Sequence, residues 1–141
     1  MPNYRLYECA DGKWFFLGTL TPQFLLKALE ATDMLHLMAL EGVEGEFTNL
    51  LKPGINQQVI EALEARFKEK PRQEWLDILH AAGVPRGPVG TLEEWFASET
   101  VRANGMRVEL EHERLGKVAI PGVPVKLSAT PGEVRHLPRR A

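Results

Sequence analysis

The chain holds a single cysteine, Cys9, among 141 residues. An internal disulfide is therefore excluded, which fits a reducing compartment. Its four histidines, His36, His80, His112 and His136, are scattered, and none stands at ligand spacing from another or from Cys9. No metal-binding motif is present. No glycine-rich phosphate loop appears either. Charge of one sign is also missing. The 17 basic and 19 acidic residues leave a net −2 and are mixed along most of the chain. That gives no electrostatic case for nucleic acid or a membrane surface as partner. No apolar run approaches the roughly 18 residues of a membrane helix, and Met1 to Arg5 forms no apolar leader. These absences predict a soluble, cytoplasmic protein.

What is there reads as an ordinary globular chain, 44% hydrophobic and 26% charged. A single domain of this length buries about 68–70% of its unfolded surface, enough for a core without covalent staples. Tyr4 to Ala10 and Lys13 to Leu17 are rich in aromatic and aliphatic residues and flank Asp11-Gly12, the signature of a hairpin turn. Thr21-Pro22 reads as a helix start, with Leu25, Leu26 and Leu29 on its apolar face. Met34 to Leu40 suits a short helix, and Glu41 to Gly54 reads as loop.

From Ile55 the pattern sharpens. Val59, Ile60, Leu63 and Phe67 predict an amphipathic helix that ends near Pro71. A second follows, with Trp75, Leu76, Leu79 and Ala82 inward and Gly83 as its stop. Val84 to Gly90 reads as a proline–glycine loop. Thr91 to Glu94 matches a capping box, and Ser98 starts a turn that Gly105 ends. Val108 and Leu110 alternate with charged residues as in a half-buried strand, Lys117 to Ile120 follows, and Val123 to Leu127 makes a further strand. Strands at both ends with helices between them predict an α+β fold. In it the N-terminal hairpin and the C-terminal strands meet in one small antiparallel sheet, because a lone hairpin is marginal in water.

Candidate chemistry is sparse. Cys9 sits in an apolar strand without an adjacent cation, so it reads as a packed thiol rather than a nucleophile. Glu93 and Glu94 are paired carboxylates, but at a helix start they compensate the dipole. Trp14, Phe15, Phe16 and Phe24 read as core beneath the sheet, with an acyl-pocket lining as the alternative.

Resemblance adds what spacing does not. The run Tyr4-Arg5-Leu6-Tyr7-Glu8-Cys9-Ala10-Asp11-Gly12-Lys13-Trp14, then Leu17-Gly18-Thr19-Leu20-Thr21-Pro22-Gln23-Phe24, resembles a stretch of the class III CoA-transferases. That family includes formyl-CoA transferase, carnitine CoA-transferase and α-methylacyl-CoA racemase. Ala82-Gly83-Val84-Pro85, Gly87-Pro88-Val89, Val101 to Met106 and Leu127 to Gly132 resemble its later blocks, in order. The resemblance implies the family's small domain over residues 4–131, followed by a basic tail at 132–141.

In that family a larger domain binds most of CoA and carries the attacking aspartate, and the active site of the interlocked dimer lies between the two domains. The implied substrate is a coenzyme A thioester, with no covalently bound cofactor. The implied partner is a separate large-domain polypeptide, or a second copy in a homodimer. The glutamate that supports acid–base chemistry in the racemases aligns with Thr21, whose hydroxyl holds no charge at neutral pH. No catalytic residue is carried over. The turn Gly18, Thr19, Leu20 and Thr21 is the candidate substrate-binding segment. The functional expectation is a fragment or subunit that shapes part of an acyl-CoA site and is inactive alone. The alternative is a stand-alone acyl-CoA-binding or dimerisation module.

Overall fold

The computed structural model describes residues 1–135, so most of the expected basic tail, from His136 on, lies outside the described residues. The fold is α+β, and it forms two compact units, Met1–Val89 and the part from Gly90 onward.

The first unit opens with β1 (Tyr4–Glu8) and β2 (Trp14–Gly18), paired antiparallel with Leu6 opposite Phe16. The turn is a three-residue loop. Cys9 N–H donates to the Lys13 carbonyl at 2.8 Å, and Gly12 takes φ +70°. That is a turn closed by a left-handed glycine, one residue wider than a two-residue Asp-Gly hairpin. Helix α1 (Pro22–Ala31) begins with Pro22 in its first turn after Thr21, as the sequence predicts. Leu25, Ala28 and Leu29 face inward, while Leu26 is exposed.

Two short 3₁₀ turns, Leu35–Ala39 and Phe47–Leu51, follow. The second lies in the stretch read as loop, which nevertheless buries Val43 and Leu50. Helices α2 (Ile55–Phe67) and α3 (Arg72–Ala81) stand where periodicity placed them. Gly83, at φ +67°, ends α3 in a complete Schellman motif. Gly83 N–H donates to the His80 carbonyl and Val84 N–H to that of Leu79, each at 2.9 Å. Val84 and Leu79 are both buried, the apolar contact that accompanies the motif.

The core lies between the inner sheet face and these helices. Tyr7, Phe15 and Phe67 pack ring against ring, and Phe67 in turn meets Trp75, their rings 5.3 Å apart and nearly perpendicular. The Trp75 indole N–H donates to the Phe67 carbonyl at 2.9 Å, so burying the ring strands no donor.

The expected single sheet is corrected to two. The third strand of the first sheet is β3 (Arg86–Pro88), from the stretch read as a loop; it takes the second edge of β2. A strand of three residues containing glycine and proline leaves no periodic signal. In the second unit, α4 (Leu92–Ala97) and α5 (Glu99–Ala103) precede the hairpin β4 (Arg107–His112) and β5 (Gly116–Pro121), whose pairing runs from Arg107–Pro121 to His112–Gly116.

The capping box is present in full. Glu94 N–H donates to Thr91 Oγ1 at 3.2 Å, and Thr91 N–H donates to the Glu94 carboxylate at 3.0 Å. The strand expected at Val123–Leu127 is not formed. Pro124 has no N–H to donate, and Val125 and Leu127 are exposed, so neither ladder bonds nor burial hold it extended.

Candidate functional site

Strand alternation sends Tyr7, Phe15 and Leu17 into the core and Tyr4, Leu6, Trp14 and Phe16 to the other face. That outer face is apolar yet open to solvent: Tyr4 is 46%, Leu6 44% and Trp14 42% exposed. Phe16 lies half-buried under the edge of Tyr4, the ring centroids 4.8 Å apart and the planes at 90°. Its ring also covers Gly18, where a Cβ would fall 2.9 Å from Phe16 Cε1. A side chain at 18 would therefore have to push the Phe16 ring aside.

Of the segment predicted to face substrate, Gly18 is half-buried and Leu20 is 63% exposed at the sheet's end. Thr21 is exposed at the start of α1, and its hydroxyl makes no cap bond. Thr19 points inward and is fully buried. Its amide and its hydroxyl both donate to the Asn3 carbonyl at 2.9 Å, and Asn3 Nδ2 donates back to the Thr19 carbonyl at 2.9 Å. Thr19 is thus an anchor that fixes where Leu20 and Thr21 sit.

Among the four aromatics weighed as core or lining, Phe15 is core, Trp14 and Phe16 belong to the outer face, and Phe24 is half-buried. Tyr4 and Leu6 extend that face and were not singled out from sequence. Their signal is legible all the same, because Tyr4-Arg5-Leu6-Tyr7 carries apolar residues on both sides of one strand, the pattern of a sheet covered on both faces.

The other candidates resolve as structural groups. Cys9 is buried, and burial, aided by Asp11, pushes its thiol up to about 11. Tyr7 is raised further by burial, its hydroxyl donating to the Pro2 carbonyl at 2.6 Å. Glu93 is held below its ordinary value by its own backbone amide and the Thr91 hydroxyl, as expected at a helix start. His112 Nδ1 accepts the backbone N–H groups of Arg114 and Leu115 and so closes the β4–β5 turn. Among the described residues no cluster of histidine, cysteine, aspartate or glutamate is placed to hold a metal ion, and no helix is long and apolar enough to cross a membrane.

Comparison with known proteins gives one consistent result. The profile of CoA-transferase family III matches residues 1–139. The human succinyl-CoA:glutarate CoA-transferase is 36% identical over 125 residues, covering 89% of this chain and 28% of that protein. A formyl-CoA:oxalate CoA-transferase from Rhodopseudomonas palustris is 34% identical over 91 residues, 62% of this chain and 21% of its own length. Among solved structures, a CAIB/BAIF family protein from Brucella suis superposes with a TM-score of 0.74 at 22% identity, over 93% of this chain and 33% of that one. The chain therefore spans less than a third of the length of these two transferases.

Proposed function

The chain belongs to CoA-transferase family III, and from that premise we propose that it forms one wall of an acyl-CoA site whose reactive carboxylate comes from another polypeptide segment. The observation that carries the proposal is the outer sheet face of Tyr4, Leu6, Trp14 and Phe16, apolar and uncovered, with Leu20 exposed at its end. Contiguous apolar surface of this kind marks an interaction or binding site. The relatives' names pair a CoA thioester with a carboxylate acceptor, glutarate or oxalate, and that is the substrate class proposed here.

The division of labour follows from chemistry. Attack by a carboxylate on the thioester splits acyl transfer into a mixed anhydride and an enzyme–CoA thioester. The apolar face and Leu20 would exclude water from that anhydride, and Thr21, uncharged at neutral pH, suits this role better than proton abstraction. The described residues supply the wall. The barrier reduction of about 8–23 kcal/mol asked of an enzyme needs the positioned nucleophile as well. The partner proposed is a large-domain polypeptide, seated on the apolar face.

The test is thioester exchange between an acyl-CoA and a carboxylate, by the purified chain alone and after co-expression with a large-domain polypeptide of the family. No turnover alone and turnover on complementation is the expected pair of results. Turnover by the chain alone sinks the proposal. So does a stable homodimer, by light scattering, that leaves a co-expressed large domain unbound.

A further inference from the structure

The second unit carries a cleft that plays no part in that reading. It has a volume of about 300 Å³, and its lining includes Trp95, Val101, Asn104, Met106, Pro124 and Lys126. A pair of glycines builds it. Gly105, at φ +59°, ends α5, with its N–H on the Arg102 carbonyl and Met106 N–H on that of Val101, each at 2.9 Å. Gly122, just after β5, donates to the Met106 carbonyl at 2.9 Å and lies so close to Gly105 that a Cβ would run into its carbonyl oxygen. Only glycine permits that approach. It carries the chain after β5 back across the end of α5 and delivers Pro124 and Lys126 to the cleft.

The lining is apolar at Trp95, Val101, Met106 and Pro124 and polar at Thr100, Asn104 and Lys126. Val101 is buried, Met106 is half-buried, and the Trp95 indole is held edge-on against Phe96, centroids 5.0 Å apart. Two donors are uncommitted. Neither the Trp95 indole N–H nor the Lys126 ammonium has a hydrogen-bond or ion-pair partner among the described residues. The Asn104 amide N–H is spent on the Thr100 carbonyl, at 2.8 Å. Lys126 Nζ lies 3.7 Å from where a Cβ on Gly105 would stand, beside the C-terminus of α5. Lys126 is exposed, so its ammonium reaches the cleft from the solvent side and can close on a ligand's carboxylate. An apolar pocket with a few convergent polar groups is the usual form of a small-molecule site, and this volume lies at the small end of the range.

We propose that this cleft binds a small monocarboxylate with an aromatic or apolar body, its ring against Trp95 and its carboxylate on Lys126. One cation matches one negative charge, whereas a phosphate dianion would call for a second. Phenylacetate is a suitable probe, followed in the full chain by the indole N–H signals of the three tryptophans, with Trp95→Phe assigning its own. The Trp95 signal should shift and saturate with a millimolar Kd. Lys126→Gln should weaken phenylacetate about fivefold, the upper end for one exposed ion pair, and leave neutral phenylacetamide unaffected. A Trp95 signal that does not respond overturns the proposal, and so does an affinity for phenylacetate that Lys126→Gln leaves unchanged.

Discussion

Thr19 and Thr21 lie two residues apart in the segment predicted to face substrate, and the same substitution should separate them. Thr19→Val keeps shape and removes the hydroxyl that donates to Asn3 at 2.9 Å. A buried hydrogen bond contributes about 0.5–1.5 kcal/mol net, and an orphaned partner costs a further 1–3. The orphan cost does not arise here, because the Asn3 carbonyl keeps the Thr19 amide, also at 2.9 Å. The expected loss is therefore about 1 kcal/mol. In a unit the size of Met1–Val89 that lowers the midpoint by about 4–8 °C. Thr21 is exposed and makes no side-chain cap bond, so Thr21→Val should stay within about ±0.5 kcal/mol. Thermal melts followed by circular dichroism read both. Equal midpoints for the two variants would refute the anchor, and a larger loss in Thr21→Val would invert the assignment of the segment.

Other expectations follow from the same geometry. Gly83→Ala meets no atom within 4 Å but must hold φ +67°, so denaturant melts should show a loss of about 1–2 kcal/mol from conformation alone. Thr91→Ala breaks the capping box and should cost about 0.5–2 kcal/mol, seen first as faster amide exchange at Glu94. Glu93 has a depressed folded value, so its small contribution is present above its unfolded value and fades as pH falls; Thr91→Ala should flatten that slope. Cys9 is raised from 9.0 to about 11, so the folded state holds its proton longer than the unfolded one. Stability should be level below pH 9 and fall as pH rises from there; Cys9→Ala should remove the decline between pH 9 and 10, while the part above 10 stays, because buried Tyr7 is raised from its ordinary 10.0 as well. At neutral pH a thiol reagent should label Cys9 only as fast as the chain opens.

Much of the fold was legible because its signals act over a few residues. Thr21-Pro22 starts α1, Thr91 and Glu94 satisfy each other's amides, and Gly83 and Gly105 close helices through left-handed backbone. Each device is complete within about one helical turn. The periodicity of Val59, Leu63 and Phe67 is equally local, since a helix face repeats every three to four residues. What went unread depends on partners far along the chain. Arg86–Pro88 is a strand only because β2, about seventy residues earlier, offers it an edge. The buried Thr19 hydroxyl finds its partner in Asn3, just before the strand that pairs across the hairpin.

The sequence by itself determined the α+β class, the places of the main helices and membership of CoA-transferase family III. Composition, caps and ordered motifs are properties of short stretches, and they survive without coordinates. The tertiary structure decided that the sheets are two, that Thr19 turns inward while Leu20 and Thr21 turn out, and that two glycines seventeen residues apart open a cleft beside Trp95. Each of these is a question of which groups satisfy one another across the chain, and only the packed molecule selects among partners that local sequence leaves equally available.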